Sequence, residues 1–167
     1  IRVAAVQMAS IDGDIEGNLA HAETLVEQAA AAGAQIILLP EFMPTGYSLT
    51  TEMWDSGEPR EGPTVAWLKE NSSRLQVWLG TSYLEADGYD FYNTFVLTDS
   101  DGNEAGRVRK RYPAGPEAFF FRGDAGSHVI ESVFGRIGIG ICYENVLCFH
   151  EKQMYEEGAD IVLMPHS

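Results

Sequence analysis

The chain has 167 residues, 45% of them hydrophobic and 22% charged, which suits one globular domain with a sizeable core. A formal net charge of −14 argues against nucleic acid and anionic membrane surfaces as partners, since both need a basic face. No run of 18 apolar residues marks a membrane span, and no basic, apolar and small-residue series marks a secretory signal.

The elements alternate along the chain. Residues 2–8 read as a strand. Residues 16–33 read as a helix, with Leu19, Ala22, Leu25, Val26 and Ala29 on one face and Gly33 as its stop. The apolar run 35–40 is a buried strand, and 41–61 is a long loop of the kind that often carries function. Pro63 opens a helix that runs to about Leu75. Strands at 76–85 and 91–98 meet across Asp87-Gly88, and a second turn at Asp101-Gly102 leads to a strand at 104–110. An aromatic-rich loop covers 111–127. Strands at 128–134 and 136–141 then pair around Gly135, followed by a helix at 144–158 and a strand at 160–165. Mixed βα units and hairpins predict an α/β fold with a mixed sheet.

Three apolar runs end on chemically useful residues. The run 35–40 delivers Glu41, 136–141 delivers Cys142, and 160–165 delivers His166 and Ser167. In open α/β sheets, sites collect beyond the carboxyl ends of strands. Cys142 falls at a predicted strand-to-helix corner, where backbone N–H groups favour a thiolate or an oxyanion. A fourth segment, residues 107–113, carries Lys110 among Arg107, Arg109 and Arg111.

Each of these residues also has a plainer reading. A cysteine in an apolar run serves equally as a small buried hydrophobe. Glu41 is either a solvated loop carboxylate or a general base desolvated by Phe42, Met43 and Tyr47. Lys110 is either part of a solvated basic face or, by strand alternation, a buried ammonium facing away from Arg109 and Arg111. Glu117 is a surface carboxylate or a supporting acid, and His166 is a possible partner in a Cys–His pair. Cys148 has nothing arranged around it and reads as structural. It lies six residues from Cys142 across a strand–helix corner, where the geometry does not favour a disulfide. Among His21, His128, His150 and His166, no sequence spacing suggests a metal site. Gly135, Gly138 and Gly140 precede or lie within a strand, so they make no phosphate loop, and Arg122-Gly123-Asp124 is taken as a chance tripeptide.

The segments 38–47 (Leu-Leu-Pro-Glu-Phe-Met-Pro-Thr-Gly-Tyr), 106–113 (Gly-Arg-Val-Arg-Lys-Arg-Tyr-Pro) and 138–145 (Gly-Ile-Gly-Ile-Cys-Tyr-Glu-Asn) together resemble the nitrilase superfamily of carbon–nitrogen hydrolases, amidase/nitrilase branch. The opening Arg2-Val-Ala-Ala-Val-Gln-Met8 is similar to the family's first strand. This resemblance implies an α-β-β-α sandwich, and residues 1–167 are expected to be the N-terminal part of a longer protein or a chain that needs a partner. It implies Glu41, Lys110 and Cys142 as the catalytic residues, with Glu117 and the Tyr143 N–H in support and no cofactor or metal. The reaction implied is hydrolysis of a small-molecule amide through a Cys thioester. A nitrile substrate is the alternative, prompted by Glu144-Asn145 after the cysteine, and a non-catalytic subunit or binding module keeping the fold is another. A cytoplasmic homo-oligomer is expected, from the free thiols and from the family's habit of assembly. Ile161, Val162, Leu163 and Met164 run without alternation, which predicts a strand buried on both faces.

Overall fold

Two sheets face each other in the computed structural model, which describes residues 1–167. In the larger, β1 (Val3–Ala5), β2 (Ile36–Leu38) and β3 (Trp78–Asp87) run parallel. The hairpin strands β4 (Asp90–Thr98) and β5 (Glu104–Arg109) extend it antiparallel. The smaller sheet holds β6 (Val129–Ser132), β7 (Gly135–Ile139) and β8 (Ile161–Leu163), with β6 antiparallel and β8 parallel to β7. Helices α1 (Ile15–Ala31) and α2 (Pro63–Leu75) cover the outer face of the first sheet, and α3 (Cys148–Glu156) lies against the second. The layers are α-β-β-α, as the sequence resemblance implies.

β2 shows why a continuous apolar run is needed at the centre. Ile36 and Leu38 point between the sheets, where they meet Phe95, Leu97, Ile137, Ile139 and Leu163. Ile37 and Leu39 point the other way, towards Ala22 and Val26 of α1 and Val65 and Leu68 of α2. Each fully buried aliphatic side chain contributes ~1.5–3 kcal/mol, whereas an exposed ion pair contributes ~0–1 kcal/mol. The two apolar layers therefore hold the fold, and the surface charges do not.

Four expectations change. β1 is shorter than 2–8, because only Val3–Ala5 pair with β2. The long loop at 41–61 holds a 3-10 turn at Thr51–Ser56. No helix starts at Glu144. The chain instead makes a 3-10 turn at Cys142–Val146, passes through an extended Leu147, and only then enters α3. Cys142 has φ 51°, outside the helical region, so the helix cannot begin at the thiol. The α3 N-terminus is therefore not what faces the thiol. Finally, β8 buries Leu163 and half-buries Ile161 in the layer between the sheets but leaves Val162 37% and Met164 48% exposed, so its outer face is only half covered.

Candidate active site

Three strand ends and one loop build the site. Glu41 follows β2, Lys110 follows β5, Cys142 follows β7, and Glu117 comes from the 3-10 turn Gly115–Phe119. Residues 165–166, beyond β8, tie two of these together. The Cys142 N–H donates to the Pro165 carbonyl at 2.9 Å, and the Glu41 N–H donates to the His166 carbonyl at 3.3 Å.

Lys110 is the hub and is 1% exposed. Its Nζ lies 3.0 Å from Glu41 Oε1 and 2.9 Å from Glu117 Oε2. The neighbouring Arg107 and Arg109 turn outward to Glu85, Glu104 and Asp87. The ammonium is thus buried between two carboxylates. Burial opposes its charge, but the Glu41 and Glu117 carboxylates overcome that and raise its pKa. The immediate company of Glu41 is therefore an ion pair, not the purely apolar shell its sequence neighbours suggest.

One oxygen of Glu41 is fully occupied. Oε1 accepts from Lys110 Nζ and, at 2.8 Å, from Asn93 Nδ2. Oε2 is buried and accepts no hydrogen bond. The Cys142 thiol, half-buried, is close enough to feel this carboxylate. Its pKa is pushed up to about 11, first by burial and next by the charge of Glu41, with Lys110 pulling the other way. The thiol is held protonated beside a carboxylate rather than stored as a thiolate. Glu117 is 0% exposed, and the Tyr47 hydroxyl donates to its Oε1 at 2.8 Å.

Two residues at the site are backbone outliers. Phe42, next to Glu41, has φ 52° and Cys142 has φ 51°. Such a conformation costs ~1–3 kcal/mol in a non-glycine residue. Hydrogen bonds hold each in place: Phe42 N–H to Ser82 Oγ at 3.0 Å, and Cys142 N–H to Pro165. The Tyr143 N–H has no acceptor in the chain and remains available. A cavity of about 460 Å³ opens onto Glu41, Tyr47 and His166 and is also lined by Gln7, Ser10 and Asp12.

A sequence model described as carbon-nitrogen hydrolase matches residues 2–167. This chain belongs to the carbon-nitrogen hydrolase family. It is 34% identical to the N-carbamoylputrescine amidase of Arabidopsis thaliana, over 98% of this chain and 57% of that protein. It is 33% identical to the citrullinase of Francisella tularensis, over 99% of this chain and 60% of that one. Among solved structures, a carbon-nitrogen hydrolase from Helicobacter pylori G27 matches 99% of this chain with a TM-score of 0.91 at 28% identity, and the match spans 60% of its own length. The chain thus spans 57–60% of these relatives. No helix is long and apolar enough to cross a membrane.

Within this carbon-nitrogen hydrolase fold, the remaining candidates fall as follows. His166 Nε2 lies 3.5 Å from Cys142 Sγ, within hydrogen-bond range of the thiol, so the structure does bring this histidine to the cysteine. Cys148 is exposed and free, on the outside of α3, so it is not a buried hydrophobe. Glu144 and Asn145 do not line the cavity. Glu144 accepts N–H bonds from Arg111, Tyr112 and Ile141, and Asn145 Nδ2 donates to the Gly140 carbonyl at 2.8 Å. His128, Glu144 and His150 converge within 4.8 Å, which their sequence spacing hides. His128 Nδ1 already donates to the Ile139 carbonyl at 2.9 Å, and both Glu144 oxygens already serve N–H groups. Both His150 nitrogens and His128 Nε2 are buried without a partner in the chain.

Sequence reasoning missed Asn93 and the role of Tyr47. Asn93 did carry a signal, as an amide inside the apolar run of β4 at a position that is 1% exposed. A buried amide needs partners. Tyr47 read only as an aromatic neighbour, because nothing local announces that its hydroxyl reaches Glu117.

Proposed function

We propose that the protein hydrolyses a non-peptide C–N bond of a small amide through a thioester on Cys142. The observation that carries this is the grouping of a thiol, a carboxylate with one unbound oxygen and a buried ammonium at three strand ends. In this reading Glu41 Oε2 takes the Cys142 proton as Sγ attacks the carbonyl carbon. The C=O electron pair moves onto oxygen, where Lys110 and the Tyr143 N–H stabilise it. Losing one such donor costs ~10²–10³ in rate. The tetrahedral species then breaks its C–N bond, and Glu41 returns the proton to the departing ammonia or amine. Water next gives a proton to Glu41 and attacks the thioester carbon. The C–S bond breaks, the sulfur recovers the proton, and the acid leaves. Glu117 keeps Lys110 in place, and every role is filled by a side chain or the backbone.

An amide fits better than a nitrile here, because Glu144 and Asn145, which prompt the nitrile alternative, are both spent on the backbone. The relatives support placing N-carbamoyl amines and citrulline first among candidate amides. The test is ammonia release by the full-length protein from N-carbamoyl amines, citrulline, simple aliphatic amides and nitriles, with Cys142→Ala in parallel. Release from an amide that disappears in Cys142→Ala is the expected result. Turnover of nitriles alone moves the reading to nitrilase. No release from any compound, or equal release by the variant, rejects it.

A further inference from the structure

Glu144 is 0% exposed and takes no part in the steps above. Its two oxygens accept three backbone N–H groups. Oε1 takes Arg111 at 2.7 Å and Tyr112 at 3.2 Å, and Oε2 takes Ile141 at 2.9 Å. Arg111 and Tyr112 directly follow Lys110, and Ile141 directly precedes Cys142. One carboxylate therefore fastens the segment that carries the ammonium to the turn that carries the thiol. No other side chain takes these three N–H groups, and buried N–H groups left unpaired are costly.

The surroundings leave the carboxylate to this task. His128 Nδ1 and His150 Nε2 flank Oε2 at 3.7 and 3.8 Å, too far to donate a good hydrogen bond. Their rings meet edge to face with centroids 4.5 Å apart, and they are 2% and 1% exposed, so they wall the carboxylate off from water. The Arg111 guanidinium turns away to Gln153 and to the carbonyls of Ala125 and Gly126. Burial raises the pKa of Glu144 and lowers that of both histidines. With neutral imidazoles beside it, the carboxylate depends on the three N–H groups for its solvation.

We propose that Glu144 is a positioning residue for the hydrolysis: it sets the distance between Lys110 and Cys142 through the backbone of both. This rests on the thiol-hydrolase reading above. The test compares Glu144→Gln and Glu144→Asp with wild type in the full-length protein. Three quantities are read: thermal melting, kcat and KM on the best amide, and the pH midpoint of Cys142 alkylation by iodoacetamide.

Gln replaces one acceptor oxygen with an NH₂ that opposes an N–H group. The expected result is a folded variant whose kcat falls ~10²-fold with KM nearly unchanged, since small misplacements of reacting groups cost about that much. Its alkylation midpoint should rise, because Lys110 no longer stabilises the thiolate as well. Asp keeps the charge at shorter reach and should recover part of both losses. A Glu144→Gln protein that melts lower but keeps the wild-type kcat and alkylation midpoint overturns the proposal, because Glu144 is then only structural. Should Glu144→Gln not fold, Glu144→Asp decides alone, and an unchanged kcat and midpoint overturn it. A wild type with no amide turnover rejects the hydrolase reading itself, whereas wild-type turnover with insensitive Glu144 variants rejects only this role.

Discussion

The acid and the thiol are coupled in a way that separates two experiments usually expected to agree. Glu41 is one of the groups that keeps Cys142 protonated, with the thiol pKa pushed up to about 11. In wild type, alkylation by iodoacetamide should therefore climb about tenfold for each pH unit from 7 towards 10, because the thiolate is the reactive form. Glu41→Gln removes the neighbouring anion and leaves the Lys110 charge. Its midpoint should fall, and alkylation at neutral pH should speed up, while amide turnover drops by ~10²–10⁴ with the proposed general base gone. A variant that loses turnover and alkylates more slowly contradicts this coupling. Lys110→Met probes the same pair from the other side. It strands Glu41 and Glu117, which are 2% and 0% exposed, without their cation. Breaking a buried ion pair by removing one partner costs about 3–5 kcal/mol, which urea unfolding should record, and the Cys142 midpoint should rise.

At the scale of elements, the turn after β7 decides what the thiol can do. Gly140 has no room for a side chain, since a Cβ there would stand 2.0 Å from Asn145 Oδ1. Gly140→Ala must push Asn145 off the Gly140 carbonyl that it bonds at 2.8 Å. A loss of about 1–3 kcal/mol in urea unfolding is expected, with part of it regained in the Gly140→Ala/Asn145→Ala double variant. The sequence makes β2, α2 and the two hairpins legible, because apolar period, Pro63 and the Asp-Gly turns are local signals. The turn at Cys142–Val146 is not legible. Glu144 looks like an ordinary first-turn acid of a helix, yet its partners Arg111 and Tyr112 lie more than thirty residues away. The same holds for Asn93 on Glu41 and Tyr47 on Glu117, whose partners are set by tertiary packing. Glu41, Lys110 and Cys142 stand out in the sequence as candidates because each ends or follows a strand, and strand ends converge once the sheets form.

Over the whole molecule, the response to acid follows from groups buried without charge. Burial holds the His128 pKa below the ordinary 6.5. The unfolded chain thus binds this proton more readily than the folded one. The stability associated with neutral His128 is present above pH 6.5 and is lost as pH falls from 6.5 towards its folded pKa. Relative to His128→Leu, wild type should lose up to ~1.4 kcal/mol per pH unit in that window, as measured by urea unfolding at pH 7, 6 and 5. Equal slopes would place the histidine in water, against its 2% exposure. Covalent catalysis here requires that the two sheets deliver an acid, an ammonium and a thiol to one point. The most direct measurement is mass spectrometry of full-length protein acid-quenched during turnover of its best amide. The acyl mass is expected on the peptide that carries Cys142, with neither adduct nor turnover in Cys142→Ala. Sustained turnover by Cys142→Ala, or an adduct on Cys148 instead, would contradict it.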